Sequence, residues 1–254
     1  RILMVLSYFH PFRGGAENQA LLLSENLRRM GLDVSVLTRS FPDLPARETL
    51  HTVPVYRAIK TVNVRTLFGA LYFLSSFFFM AVKRKHYDII HCHIVQGFHS
   101  AAAVVAGHLF KQKVVIKIAN TGASSDFLQV KQLLGGRLIL RLLKKADRLI
   151  ATSQLSADEA RREGFSDKQI ALIPNGVDTR RFMPSERYAD SRTRIVCVGR
   201  LIRIKGLDIM LEAFSQLKRA GLCGRLDIVG GGPEYDNLSE KGLALGCAED
   251  VAFH

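Results

Sequence analysis

The sequence predicts an α/β protein with two parallel sheets, and three observations carry that prediction. Short runs rich in Val, Ile and Leu alternate with longer stretches of helical periodicity almost from end to end, which is typical of strand-helix-strand units. The runs are nearly continuous in apolar residues, as in strands covered on both faces. A polar stretch at residues 176–193 interrupts the alternation, so we predict a linker there between two domains.

The first predicted domain spans residues 1–175. Its apolar runs predict strands at Ile2–Ser7, Asp33–Thr38, Val53–Ala58, Asp88–His93, Lys113–Ala119, Arg148–Ser153 and Ile170–Asn175. The intervening periodic stretches predict helices at Ala16–Met30, Arg65–Arg84, Phe98–Phe110, Leu133–Lys144 and Gln154–Glu163. The opening run ILMVL is too short for a signal peptide and is followed by a polar turn, so it is the first expected strand.

The second predicted domain, residues 194–254, repeats the alternation over a shorter length. Strands are expected at Arg194–Arg200, Arg225–Gly230 and Val251–His254, with helices at Lys205–Ala220 and after Pro233. A doubly wound sheet usually has roughly five or six strands, so the second sheet is expected to be incomplete. The chain is therefore expected to be a C-terminally truncated part of a longer protein.

Composition restricts the partners. The formal net charge of +13 indicates an anionic partner, which can be nucleic acid, an acidic membrane surface or a phosphorylated small molecule. No nucleic-acid-binding motif is recognisable, and aromatic residues are not interleaved with the basic ones, so nucleic acid is not expected. The four cysteines show no CxxC spacing, which favours reduced thiols and a cytoplasmic protein.

Two glycine-bearing turns follow predicted strands. Gly14 and Gly15 lie between the first strand and the first helix, where ligands of open parallel sheets bind. A plain tight turn fits this pair as well as a ligand-binding turn does. In the second domain, Arg200 ends a strand and Lys205 is expected to open the next helix, an arrangement that suits a diphosphate.

Six segments in order along the chain are GGAE, DIIHCH, ADRLIATS, IPNGVD, VGRLIRIKG and IVGGGP. Together they resemble the retaining glycosyltransferases of the GT-B fold, of the family-four (glycosyltransferases group 1) type. The resemblance implies two Rossmann-like domains facing a cleft, the second one incomplete here. It also implies a nucleotide-sugar donor held mainly by the second domain and an acceptor held by the first.

The resemblance gives roles to individual residues. Arg200 and Lys205 would hold the donor diphosphate and stabilise the departing nucleoside diphosphate. His93 would lie near the acceptor or the transferred sugar, although a strand-end histidine with only a local partner fits equally well. Glycine pairs would lie near the phosphates and the nucleoside, and the full set of expected substrate-binding positions is Gly14, Gly15, Asn120, Thr121, Gly122, Asn175, Gly231 and Gly232.

Two departures from the family pattern stand out. Many relatives end the strand at Lys113–Ala119 with a histidine, whereas this chain reads KIANTG. Asn120, Thr121 and Gly122 are expected to offer a polar replacement. The paired-glutamate motif that contacts the donor sugar and ribose in the family lies beyond His254, so the chain alone is expected to be inactive.

Charge stabilisation is expected without a metal. No Asp-x-Asp occurs in the sequence, so Arg200 and Lys205 are favoured over Mg²⁺ for stabilising the leaving diphosphate. No cofactor is expected beyond the nucleoside-diphosphate sugar. No carboxylate is placed as a nucleophile, and the resemblance implies front-face retention in a hexosyltransferase-type reaction.

Two segments bear on membrane contact. Leu67–Val82 is apolar nearly all round but short for a bilayer span, and a buried helix over the sheet is favoured over shallow membrane contact. The second segment predicts a helical face that suits either an anionic lipid surface or solvent, formed by Arg137, Arg141, Lys144, Lys145 and Arg148. Attachment to the cytoplasmic membrane face would fit a lipid-linked acceptor.

The sequence therefore predicts a glycosyltransferase that moves a sugar from a nucleoside-diphosphate sugar to a glycan or lipid-linked acceptor, as in surface polysaccharide synthesis. Two alternatives stay open. One is a sugar-nucleotide epimerase of the same fold, and the other is a non-catalytic nucleotide-binding protein.

Overall fold

The structure is a computed structural model that describes residues 1–12, 14–184 and 193–254, without the side chains of residues 65 and 66. The chain forms two compact units, Arg1–Asp178 and Thr179–His254. Their boundary falls within the predicted linker at 176–193, of which residues 185–192 lie outside the described part of the chain.

The first unit contains an eight-stranded sheet. Its strands are β1 Ile2–Val5, β2 Val34–Arg39, β3 Arg47–Leu50, β4 Val53–Ile59, β5 Ile89–Cys92, β6 Lys113–Lys117, β7 Arg148–Ala151 and β8 Ile170–Leu172. They lie in the order β3-β4-β2-β1-β5-β6-β7-β8. All neighbours are parallel except β3, which pairs antiparallel with β4. Parallel strands place their carboxyl ends at one edge, where ligands of such sheets bind.

Helices cover both faces of this sheet. They are α1 Gly15–Arg29, α2 Arg65–Val82, α3 Phe98–Phe110, α4 Asp126–Gln132, α5 Gly136–Leu143 and α6 Gln154–Arg162. Successive side chains of a strand point to opposite faces, so Met4 lies in the core beneath α1 whereas Leu3 and Val5 lie in the larger core with α3. The predicted α/β class is confirmed.

The predicted helix Leu133–Lys144 is confirmed as α5, but it begins three residues later than predicted, after Gly135, which has a φ of +72°. A Cβ on Gly136 would overlap the carbonyl oxygen of Val130 in α4, so this close approach requires glycine. Of the predicted basic residues, α5 carries Arg137 and Arg141, Lys144 and Lys145 follow its end, and β7 begins with Arg148.

The predicted burial of α2 holds for one side of that helix only. Tyr72, Ser76 and Met80 are buried, and the helix packs against α3 and β4. The opposite side exposes 58% of Leu74 and 70% of Phe78. No helix within the described residues combines the length and apolar character that a bilayer span requires.

The second unit contains a three-stranded parallel sheet. Its elements are β9 Thr193–Val198, α7 Leu207–Arg219, β10 Gly224–Val229, α8 Tyr235–Ala244 and β11 Val251–Phe253. The predicted start of its first helix at Lys205 is wrong. Lys205 ends a 3₁₀ turn, and Gly206, with a φ of +65°, separates that turn from α7. The left-handed backbone at this glycine is what displaces the helix start.

Candidate functional site

Neutral histidines occupy the carboxyl edge of the first sheet. His93 follows β5, and its backbone N–H donates to the carbonyl oxygen of Val5 at 3.0 Å. Its ring stacks on that of His91, with 4.4 Å between centroids. Burial lowers the pKa of His91 to about 4, with Lys117 nearby adding to the effect. Burial, helped by His91 and Lys117, also holds the pKa of His93 well below its usual range.

His93 is only 1% exposed, so its side chain lies beneath the surface of the first unit. The Nε2 atoms of His91 and His93 are buried and have no hydrogen-bond partner within the described residues. Both rings are therefore uncharged at neutral pH and shielded from bulk solvent. The sequence motif DIIHCH identified the position, but burial of both rings was not readable from it.

A third buried histidine joins α3 to α2 and to the segment after β1 through hydrogen bonds. His99 of α3 lies with its Nδ1 3.0 Å from the hydroxyl of Tyr72, and that hydroxyl is 2.8 Å from the Oγ of Ser7, which follows β1. Burial lowers the pKa of His99 to about 4 and raises the pKa of Tyr72. The sequence analysis missed this chain of hydrogen bonds, for which the only local signal is a histidine within an apolar helix.

Asp126 fixes the loop that follows β6. Its buried carboxylate accepts hydrogen bonds from the backbone N–H groups of Val95 at 3.3 Å and Ala119 at 2.9 Å, and from the Asn120 amide at 2.9 Å. Burial raises the pKa of Asp126, against the lowering effect of these donors. The sequence analysis missed Asp126, although an acidic residue in the first turn of a short helix was a usable signal.

The predicted trio after β6 is engaged within the protein. Asn120 is held by Asp126, and the backbone N–H of Gly122 donates to Glu159 Oε1 at 2.7 Å. Thr121 lies between them and is partly buried. Asn120 and Gly122 nevertheless remain exposed on one side, so a substrate can reach them.

The two glycines of the first turn differ in their surroundings. A Cβ on Gly14, which precedes α1, would overlap the carboxylate of Glu17, whereas a Cβ on Gly15 would meet nothing within 4 Å. An acidic side chain in the first helical turn is stabilised by the helix dipole. Gly15 is therefore the open position, and the space over Gly14 is filled by the protein's own carboxylate.

In the second unit, the loops after β9 and β10 are joined by a backbone hydrogen bond and by close backbone packing. The N–H of Leu201 donates to the carbonyl oxygen of Gly231 at 2.9 Å. A Cβ on Gly230 would overlap the carbonyl oxygen of Gly199, and one on Gly232 would overlap that of Leu201. Gly231 has open space around it.

Arg200 and Lys205 are exposed, and both lie in the stretch that connects β9 to α7. The structure thus brings Arg200, Gly231 and Gly232 to the carboxyl edge of the second sheet. Asn175 is exposed in the irregular segment after β8.

Residues 13–181 match the family model described as Glycosyltransferase Family 4, and residues 178–254 match the one described as Glycosyl transferases group 1. The chain belongs to Glycosyltransferase Family 4.

Two of the curated relatives of this family 4 chain carry phosphatidylinositol in their names. It is 26% identical over 248 residues to a phosphatidylinositol N-acetylglucosaminyltransferase subunit of Arabidopsis thaliana, covering 94% of this chain and 54% of the relative. It is 40% identical over 90 residues to the GDP-mannose-dependent alpha-(1-6)-phosphatidylinositol monomannoside mannosyltransferase of Mycolicibacterium smegmatis, covering 32% of this chain and 24% of that one.

Among solved structures, Anabaena Alr3699/HepE in complex with UDP matches with a TM-score of 0.73 at 19% identity, covering 100% of this chain and 68% of that one. At that identity the likeness shows the fold, which is the GT-B-like class expected from the sequence. The chain spans about half the length of the curated relatives that match nearly all of it.

Proposed function

We propose that this family 4 protein transfers a sugar from a nucleoside-diphosphate sugar to a hydroxyl group of a glycan or lipid-linked acceptor. The single observation that carries the proposal is the exposed cationic edge of the second unit. There Arg200 and Lys205 are exposed in the stretch between β9 and α7, and Gly231 leaves the backbone open in the loop after β10. HepE, which has the same fold, binds UDP in its crystal structure, and the mycobacterial relative is named for GDP-mannose.

The chemistry we propose needs charge stabilisation at the leaving group. The bond between the anomeric carbon and the diphosphate oxygen breaks, and the electron pair stays on that oxygen. A bond forms from the acceptor hydroxyl oxygen on the same face of the sugar, and the hydroxyl proton passes to the leaving phosphate. The guanidinium of Arg200 and the ammonium of Lys205 stabilise the developing negative charge as preorganised donors, without a metal and without a covalent link to the protein.

The histidines of the first unit would act as positioning residues in this scheme. His93 is buried, and its neighbours His91 and Lys117 help to keep its ring unprotonated at neutral pH. It would support the loop that presents Asn120 toward the sugar, and its place near the acceptor is part of the proposal. Asn120, Thr121 and Gly122 would offer neutral hydrogen-bonding groups where many relatives have a histidine.

The test uses the full-length protein, titrated by calorimetry with UDP-, GDP- and ADP-sugars and then assayed for transfer. We expect Arg200→Ala and Lys205→Ala each to lower transfer by roughly 10²-fold or more, as loss of a preorganised charge contact does. Arg203→Ala is the matched control, because it removes an exposed cation from the same 3₁₀ turn. Unchanged rates in both Arg200→Ala and Lys205→Ala would overturn the assignment. Conversion of a labelled nucleotide-sugar without acceptor would indicate an epimerase instead.

We also propose that the protein works at an anionic membrane surface on the cytoplasmic side. α2 contains no acidic residue and is followed by the basic run Lys83-Arg84-Lys85. Its free side forms an apolar stripe, with exposed fractions of 57% for Leu67, 58% for Leu74, 70% for Phe78 and 56% for Val82. An apolar face next to cations is what binds an anionic lipid interface.

Vesicle sedimentation tests this second proposal. Phe78→Ser combined with Leu74→Ser is expected to weaken binding to phosphatidylglycerol-containing vesicles, because less apolar surface enters the interface. Leu243→Ser is the control, since that leucine is 67% exposed on the other unit. Equal binding by the double variant and the control contradicts the proposal.

A further inference from the structure

A cavity of about 650 Å³ opens where β2 and β4 end, apart from every motif that the sequence analysis singled out. Arg39, the last residue of β2, and Lys60, the residue after β4, both line it. The aromatic rings of Phe41 and Phe68 complete much of its wall. None of the described residues that line the cavity is acidic. Its volume suits a small organic ligand rather than a single ion.

The guanidinium of Arg39 is held rigidly in this wall. One terminal nitrogen donates to the hydroxyl of Tyr8 at 2.9 Å, and the other donates to Thr61 Oγ1 at 3.0 Å. Its central carbon lies 5.1 Å from the ring centroid of Tyr8, 5.3 Å from that of Phe41 and 5.8 Å from that of Phe68. Stacking and hydroxyl contacts orient the cation without neutralising it.

Arg39 is left without a countercharge. Its Nε is buried and unpartnered, and no carboxylate within the described residues forms an ion pair with its guanidinium. Arg57, which lines the same cavity, shows the contrast. Its guanidinium pairs with Glu48 and donates to the carbonyl oxygens of Pro45 and His10. A partly desolvated positive charge that is oriented but not paired favours binding of an anion.

We propose that this cavity binds a phosphate group carried by the acceptor. The guanidinium of Arg39 offers its free N–H groups, and the ammonium of exposed Lys60 supplies a second positive charge. Asn63 adds a neutral donor to the same wall. The identification of the ligand as the acceptor rests on the proposed sugar transfer, whereas binding of the phosphate does not.

The phosphate can belong to a lipid head group or to a soluble sugar phosphate. Phe68 of α2 lines the cavity, and Leu67, the residue before it, is 57% exposed on the apolar stripe of that helix. A head-group phosphate in the cavity with its apolar part on α2 would use both features, and a soluble phosphate would use only the first.

The experiment measures binding by calorimetry at low salt with two probes, glycerol 1-phosphate and dihexanoylphosphatidic acid below its critical micelle concentration. Arg39→Gln is expected to weaken binding of both probes by roughly 10- to 100-fold, the cost of losing charge-assisted hydrogen bonds. Lys60→Gln, at an exposed position, is expected to weaken binding less without affecting folding. Arg47→Gln is the matched control, because that guanidinium also stacks on an aromatic ring, 5.4 Å from the centroid of Tyr56, but does not line the cavity.

Loss of binding in Arg39→Gln and Lys60→Gln, with Arg47→Gln unchanged, supports the proposal. Tighter binding of the lipid probe assigns the phosphate to a head group, and equal affinity assigns it to a soluble sugar phosphate. Absence of saturable binding of both probes, or equal affinities in all three variants, overturns it. Neither probe engages the donor site, so a protein that binds them yet transfers no sugar would refute the proposed function and leave this inference standing.

Discussion

The carboxyl edges of the two sheets hold their ionisable groups differently. In the first unit, that edge is built around His91, His93 and His99, which are buried and held neutral. In the second unit, the corresponding edge presents the exposed cations Arg200 and Lys205. The difference comes from burial, and it concerns the histidine part of the first edge, since Arg39 and Lys60 also lie at that edge, at the ends of β2 and β4.

Because of this contrast, the two units are suited to different parts of the proposed reaction. A buried imidazole that cannot become charged offers only neutral hydrogen bonds, so the histidine part of the first edge suits sugar and hydroxyl groups better than a diphosphate. In the proposed reaction, positive charge for the leaving group comes from the second edge. There the cations stay in water and cost nothing to keep charged.

The largest expected effect concerns the buried histidines and their response to acid. His91 and His99 have folded-state pKa values of about 4, below the usual 6.5, so the unfolded chain binds more protons between those values. Their contribution to stability is complete above pH 6.5 and is lost as the pH falls toward 4. From about pH 7.5 to about pH 5, we expect a loss of about 2 kcal/mol for each histidine.

Urea denaturation across that pH range measures this loss. His91→Gln removes one of the buried rings, so the variant should lose about 2 kcal/mol less stability than the parent over the same interval. Parallel pH profiles for the two proteins would show that His91 is not kept neutral by burial.

The next-largest effect is expected for the loops after β9 and β10, whose backbones are hydrogen-bonded to each other and closely packed. Gly230→Ala and Gly232→Ala should each destabilise the protein by about 2–4 kcal/mol, because the new Cβ would overlap a backbone carbonyl oxygen that has no freedom to move. Gly231→Ala is the internal control, since its Cβ would meet nothing within 4 Å. Thermal or urea unfolding distinguishes the three. Equal stability of all three variants would mean that these two loops are held less tightly than their hydrogen bonds indicate.

The sequence predicted most elements because their signal is local. The helix Phe98–Phe110 was predicted to the residue, since its apolar run is bounded by a glycine and a polar stretch. Strand β3 was missed because RETL carries no apolar run and is held only by pairing with β4. The start of α5 after Gly135 was missed because it depends on a positive φ and on contact with α4.

The candidate site shows the same difference between local sequence signals and contacts between distant segments. Arg200 and Gly231 could be found because they follow strands directly and fall within motifs. The partners of Asp126 and the stacking around Arg39 come from segments distant in the chain, so no periodicity or spacing indicates them. Family resemblance supplied roles for motif residues, but it could not show that His93 is buried.

A smaller effect is expected for the loop after β6, which is held by hydrogen bonds to Asp126. Asp126→Ala should cost about 2–3 kcal/mol, because the buried N–H groups of Val95 and Ala119 lose their acceptor. Asp158→Ala, at a half-exposed carboxylate on α6, should stay within about 0.5 kcal/mol of the parent. Urea midpoints measure both. Similar values for the two variants would show that the Asp126 contacts do not hold this loop.

The smallest expected effect tests whether the open space beside Gly15 receives a ligand. Gly15→Ala should raise stability by about 0.5 kcal/mol, since alanine favours the helix and its Cβ meets nothing within 4 Å. If the first turn of α1 receives a donor phosphate, the same methyl group will weaken nucleotide-sugar binding in calorimetry, because the open space is where the phosphate approaches. Gly14→Ala is the paired variant, whose methyl displaces only the flexible carboxylate of Glu17. A more stable Gly15→Ala protein with unchanged donor affinity would assign this glycine to the turn alone, and charge at the donor phosphates would then rest on the second unit by itself.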